Sequence, residues 1–185
     1  MELVAPALER LDEYAAALRQ RWSPSNVRDI SGEQLAAIEA DPAGFIAQFT
    51  RPGGTVNLGG GVVVPRLPGP VRWIWEDGFC GIISLRHQPG TEDLPAHVLG
   101  HIGYAVVPWR RRRGLATRAL HAILPSAAAV GLRWVDLTCD DDNRPSQRVI
   151  EANGGVLWSR SPDADRPGHD KLLYRIAFGR IAFGR

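Results

Sequence analysis

The stretch His101-Ile102-Gly103-Tyr104-Ala105-Val106-Val107-Pro108-Trp109-Arg110-Arg111-Arg112-Arg113-Gly114-Leu115-Ala116-Thr117 decides the reading of this chain. Val106 and Val107 favour extended backbone, Pro108 has no N–H to give a sheet ladder, and from Gly114 onward small and apolar residues recur at helical spacing. The arginines and Gly114 therefore stand where a strand ends and a helix begins. Unpaired N–H groups and the positive end of the helix dipole point outward at such a start, so an anion can be held there largely by main chain. Gly114 has no Cβ to block close approach. Taken alone, a cluster of arginines is more often a solvated basic surface than a ligand site, so the rest of the chain has to decide.

Beyond the helix, Leu132-Arg133-Trp134-Val135-Asp136-Leu137-Thr138-Cys139 has the aromatic and β-branched content of a buried strand. Asp140-Asp141-Asp142-Asn143 follows as a turn, and Pro145 fits the first turn of a helix running to about Asn153, closed by Gly154-Gly155. Residues 156–158 resume an extended pattern, and 171–178 supply a last strand. Pro125 inside the long helix should kink or shorten it.

The spacing Arg111-x-x-Gly114-x-Ala116, followed by Asn143-x-x-Ser146-x-x-Val149-Ile150-Glu151-x-Asn153-Gly154-Gly155, resembles two motifs of the GNAT superfamily of N-acetyltransferases in their order and separation. The resemblance covers roughly residues 70–178, and the N-terminal third more faintly. It is closest to bacterial GNAT proteins of undefined substrate that carry a Gly-His-Ile-Gly-Tyr strand before the arginine turn. It implies an α/β fold, a twisted, mixed and mostly antiparallel sheet flanked by helices. In that sheet the strands at about 101–107 and 133–139 splay apart to admit a pantetheine arm.

By the same resemblance, acetyl-CoA is the acyl donor, no metal is used, and the acetyl group moves by direct attack of a primary amine in a ternary complex. The acceptor amine belongs to a small molecule, amino acid, peptide or protein. Main-chain groups of Val106 and Val107 would pair with the pantetheine arm. Arg111, Arg112, Arg113, Gly114, Leu115, Ala116 and Thr117 would hold the pyrophosphate, and Asn143 would touch the arm with Ser146 close by. Asn143 also fits a helix cap, and the two roles can coexist. His101 lies near the place where some relatives carry a glutamate base, and imidazole has a suitable pKa; a structural or substrate-contacting role is the competing reading. The family's usual acid is a tyrosine, and the aligned place here is Ile150. Tyr104, Tyr174 or Cys139 would have to substitute, or the thiolate leaves without an acid. That departure supports an alternative, a catalytically inactive acyl-CoA-binding or sensor domain.

At 185 residues the chain can bury a full core, and residues 1–178 read as one domain with 179–185 as a tail. Lys plus Arg is 22 and Asp plus Glu is 20, so the formal charge of +2 makes the basic character local to residues 110–113 and argues against a nucleic-acid-binding module. Cys80 and Cys139 show no Cys-x-x-Cys pattern, which reads as reduced core thiols in a cytoplasmic protein. His97 and His101 lack an accompanying carboxylate motif for metal. No signal-like or membrane-length apolar run occurs. A homodimer is compatible with the resemblance, because dimers are common in the family. Arg175-Ile176-Ala177-Phe178-Gly179-Arg180 continues into a second Ile-Ala-Phe-Gly-Arg at 181–185, for which no function follows.

Towards the N-terminus, residues 2–6 read as a strand, and Leu8, Leu11, Ala15 and Leu18 mark one helical face. Ser31 with Gln34 suggests a capping box, and Asp41-Pro42 an N-cap with proline in the first turn. The Gly/Pro-rich residues 52–70 read as a mobile connection without a phosphate-loop ending. Val71, Trp73 and Trp75 begin a hairpin that turns at Asp77-Gly78. Together with the loop at 87–100, the first two helices and segment 52–70 are the candidate elements for acceptor choice. Trp73, Trp75 and Trp109 could line an acceptor pocket, although alternating aromatics on a strand are more often core.

Overall fold

At the Asp77-Gly78 turn both residues take left-handed backbone, with φ of 50° and 113°, and the Glu76 N–H donates to the Gly78 carbonyl at 3.0 Å. The turn joins β4 (Val71–Trp75) to β5 (Phe79–Leu85) as an antiparallel pair. β1 (Glu2–Val4) borders β4, and β6 (Ile102–Val106) borders β5, which gives the order β1-β4-β5-β6. The computed structural model describes residues 1–25, 28–51 and 53–179, so the repeat at 181–185 lies outside the described residues.

One face of this sheet is covered by α1 (Leu11–Arg19), α2 (Ser31–Ala40) and α3 (Pro42–Thr50). Its centre is aromatic: Tyr14 stacks on Trp73 with ring centres 5.0 Å apart and meets Phe79 edge-on at 5.2 Å. Trp73 is therefore core, as the alternation favoured. Asp41 caps α3 as expected, its carboxylate accepting the Gly44 N–H at 2.9 Å. The Ser31 capping box is not formed. Ile30 holds the N-cap position, the Ser31 N–H is taken by Asp29 at 2.9 Å, and Gln34 instead accepts from the buried Tyr14 hydroxyl. Leu8 falls in a 3-10 turn before α1 and is exposed, because the helical face begins at Leu11.

The opposite face packs on α4 (Leu115–Ala129), which runs through Pro125 without ending. Pro125 and His121, four residues earlier, both face solvent, so water can satisfy the carbonyl that loses its helical partner. A second antiparallel sheet, ordered β7-β9-β8, comprises β7 (Trp134–Asp140), β9 (Asp170–Ala177) and β8 (Val156–Pro162); α5 (Arg144–Glu151) lies between β7 and β8 in the chain. The expected mobile connection is instead largely a hairpin, β2 (Thr55–Gly59) with β3 (Val62–Pro65), whose valines pair across a glycine turn at 59–61. Cys80 and Cys139 are buried free thiols.

Trp73→Ala removes the ring on which the first core is stacked. It is expected to cost about 3–5 kcal/mol, read as a lower urea midpoint with an unchanged slope.

Candidate functional site

The two sheets meet at one short seam. The His101 N–H donates to the Asp136 carbonyl at 2.7 Å, and the Asp136 N–H returns to His101 Nδ1 at 3.0 Å. Gly100 permits this approach, since a Cβ there would lie 2.8 Å from the Asp136 carbonyl oxygen. Arg175 clamps the Asp136 carboxylate at 2.7 and 2.8 Å. Past the seam, β6 and β7 form no ladder with each other among the described residues. The pair opens like a V towards the arginine turn.

Which peptide groups face the opening follows from the ladder with β5. Val107 gives its N–H to the Cys80 carbonyl at 3.0 Å, and its carbonyl accepts the Arg110 N–H at 3.0 Å. Both main-chain groups of Val107 thus have partners within the chain, the N–H in the ladder and the carbonyl at the turn. Alternation turns the peptide groups of Tyr104 and Val106 to the open side. There the Val106 carbonyl accepts from Arg111 Nε at 3.1 Å.

At the mouth of the V, Pro108–Arg110 form a 3-10 turn, Arg112 and Gly114 take φ of 62° and 69°, and Leu115 begins α4. The first helical bond runs from the Arg118 N–H to the Gly114 carbonyl, so the N–H groups of residues 112–117 have no acceptor among the described residues. Leu115 is buried and offers only main chain, Ala116 and Thr117 are half-buried, and Arg111, Arg112 and Arg113 are exposed with no carboxylate within 4 Å among the described residues. Arg118, by contrast, is paired with Glu76 at 2.8 Å; together with the amino terminus it holds the Glu76 carboxyl down at about 2. An added Cβ on Gly114 would meet nothing within 4 Å, so the concave side is open. Successive free amides at a helix start suit a polyanion.

Across the opening, Asn143 Oδ1 accepts the Ser146 N–H at 3.2 Å and caps α5, the structural half of its expected role. The Tyr104 hydroxyl donates to the Ser146 carbonyl at 3.4 Å, and burial pushes its pKa up to about 12. Asn153 ties the two helices together, donating to the carbonyls of Thr117 and Val149 at 3.2 and 2.9 Å. Ile150 is core, Cys139 is buried with its thiol pushed up to about 11, and the Tyr174 hydroxyl is engaged by Glu151 at 3.1 Å. Of the three substitutes for the missing acid, only Tyr104 reaches from β6 towards the α5 start.

His101 is 0% exposed. Its Nδ1 lone pair is used by the Asp136 N–H, so the neutral ring carries its proton on Nε2, which finds no partner of hydrogen-bond geometry. Burial lowers its pKa, opposed by the Asp136 carboxylate and the Glu92 backbone. A ring without a free lone pair and without access to solvent cannot take a proton from an entering amine. In this arrangement His101, expected as the general base, joins the two sheets.

A protein-family model described as "Acetyltransferase (GNAT) domain" matches residues 61–156, over half of the chain. The chain belongs to the GNAT acetyltransferase family. Among proteins of curated description, none matches this GNAT chain by sequence. Solved structures share its fold at low identity. The acetyltransferase from Salmonella typhimurium that modifies the N-terminal serine of ribosomal protein L7/L12 aligns over 95% of this chain and 94% of its own, with a TM-score of 0.64 at 16% identity. The microcin C7 self-immunity acetyltransferase MccE, solved with acetyl-CoA and AMP, covers 95% and 91% with a TM-score of 0.58 at 16% identity. The ribosomal L7/L12 α-N-protein acetyltransferase RimL, solved with coenzyme A, covers 95% and 92% with a TM-score of 0.61 at 14% identity.

Sequence reading missed an ion-pair network beside the α5 cap. Arg166 binds Asp140 and Asp142 at 3.2 and 2.8 Å, Lys171 bridges Asp140 and Asp163, and His169 contacts Asp141 at 3.0 Å. Asp141, Asp142 and His169 bring three potential metal-ligand atoms within 4.8 Å, with Asp142 paired to Arg166 and Asp141 in contact with His169. The basic partners lie more than 20 residues away in sequence, on the β8–β9 side, where no local pattern announces them. A hollow of about 150 Å³ flanks the seam, lined in part by Glu92, Leu99, Gly100, Trp134, Asp136 and Arg175.

Because the folded state holds fewer protons on His101 than the unfolded chain, the associated stability is fully present above pH 6.5 and falls as pH drops from there towards the folded pKa. Urea titrations from pH 7 to pH 5 should show a shallower loss for His101→Gln than for the parent; equal slopes would contradict the assignment.

Proposed function

We propose that this GNAT protein is an acetyl-CoA-dependent N-acetyltransferase that moves an acetyl group to a primary amine by direct attack in a ternary complex. The observation that carries the reading is the run of N–H groups at 112–117 that find no acceptor among the described residues, flanked by Arg111, Arg112 and Arg113 and opening beside the edge of β6 that forms no ladder with β7. In this assignment the amides of 112–117 and the arginines hold the pyrophosphate of acetyl-CoA. The Val106 N–H and the amide of Asn143 take the pantetheine arm, with Ser146 at its side. Residues 1–178 act as one domain, and a cytoplasmic location fits two reduced thiols and the absence, among the described residues, of a helix long and apolar enough to cross a membrane.

Acetyl-CoA supplies an activated thioester carbonyl. The neutral amine attacks that carbon, the C–N bond forms, and the proton lost by nitrogen passes to water, since His101 is closed off. As the C–S bond breaks, Tyr104, which keeps its proton at neutral pH, gives it to the thiolate and regains one from water. The alternative, a domain that binds acyl-CoA without turning it over, is favoured by Ile150 in the acid position and by the buried His101. Thiol release with a panel of amines separates the two readings.

Calorimetric titration with acetyl-CoA should show Arg113→Glu weakened by about tenfold or more, since a charge-assisted contact is worth roughly 1.5–3 kcal/mol. Unchanged affinity would remove the pyrophosphate from the turn. Tyr104→Phe should lower kcat by roughly 100-fold or more with acetyl-CoA affinity intact; an unaltered kcat would leave thiolate departure without an acid.

A further inference from the structure

Along the face of the first sheet that α1, α2 and α3 cover, one cross-strand row is Trp73, Ile82 and Ala105, all packed in the aromatic core or against it. Two residues further along β5 the character changes. Ser84 pairs with Gly103, and beyond them the Arg86 N–H continues the ladder to the His101 carbonyl at 2.8 Å. Side chains two apart share a face, so Ser84 and Arg86 point to the same side as the aromatic core, next to the point where β6 parts from β7.

Arg86 is half-buried, and among the described residues no ion pair balances its charge. Its Nε donates to the Gly100 carbonyl at 2.6 Å, which fixes the plane of the guanidinium. No acceptor takes Nη1 or Nη2, and no carboxylate lies within 4 Å among the described residues. Asp136, the acid at the seam, is occupied by Arg175. Gly103 makes the space, since a Cβ there would lie 3.0 Å from Arg86 Nη2 and 3.7 Å from Nη1. A guanidinium removed from water without a counter-ion is costly, and its two terminal nitrogens match the two oxygens of a carboxylate.

We infer that Arg86, with Ser84 beside it and Gly103 as its notch, is an anion subsite for the acceptor, and that the acceptor is a primary amine that also carries a carboxylate. This rests on the acetyltransferase reading above. The fork would receive the carboxylate while the amine reaches into the V, and a polyamine would be refused because it brings a second positive charge to an unpaired one. Arg86 is a specificity and positioning residue; no proton passes through it.

The test uses product analogues on the full chain, with and without saturating CoA. N-acetylglycine, N-acetyl-L-glutamate and N-acetyl-L-phenylalanine are titrated calorimetrically beside their carboxamides, into the parent, Arg86→Gln and Gly103→Ala. At least one acid should bind the parent about tenfold tighter than its amide. Arg86→Gln should abolish the difference at unchanged CoA affinity, and Gly103→Ala, which leaves the charge but crowds the fork, should reduce it. Equal binding of acid and amide, no binding of either, or a preference that survives Arg86→Gln would overturn the subsite. Should Arg86→Gln fail to fold, the parent and Gly103→Ala decide. Loss of CoA binding by the parent would instead sink the acetyltransferase reading, while the titrations without CoA still report on Arg86.

Discussion

The seam between His101 and Asp136 sets the geometry of everything else. It consists of two hydrogen bonds that the residues exchange, one wholly backbone and one from the Asp136 N–H to the imidazole. A seam this short leaves two strands side by side at one end and apart at the other. The gap is therefore a consequence of where pairing stops, with no need for a dedicated loop to hold it open. The Arg175 clamp on Asp136 and the cation–π contacts of Arg175 with Trp134 and Trp158, at 4.4 and 4.3 Å, stiffen the second sheet at that point.

The two sheets share one core and differ in the other. The first is held between an aromatic core under α1 to α3 and an aliphatic one under α4. The second shares only the aliphatic core, through Val135, Leu137, Leu172, Tyr174 and Ile176. α4 and α5 therefore bear on both sheets, and the Asn153 bridge between them keeps the α4 start and the α5 cap in register across the gap.

Several local signals in the chain lead directly to the observed structure. Asp77-Gly78 turned, Asp41 capped, and β6, β7 and β9 appeared where β-branched and aromatic residues cluster. The departures have separate physical causes. Ser31 lost its cap to Asp29, two residues earlier, and Gln34 was drawn off by Tyr14, twenty residues away. The hairpin at 55–65 was hidden because its glycines were weighed as disorder and its valines were not. His101 was read by the chemistry of its side chain, whereas its burial depends on a strand 35 residues away. Arg86 carried no signal at all, since an arginine at a strand end is ordinary until its surroundings are known to lack a carboxylate.

The arginine turn has a further consequence, in colloidal rather than catalytic terms. Arg111, Arg112 and Arg113 stand together at the positive end of α4, and Arg112 additionally holds a left-handed conformation that costs a non-glycine residue roughly 1–2 kcal/mol. Like charges gathered at a like pole raise the free energy of the folded chain, and dissolved salt screens that repulsion. Most surface ion pairs lose strength as salt is added; this corner of the molecule relaxes, and any multivalent anion in the medium condenses there first.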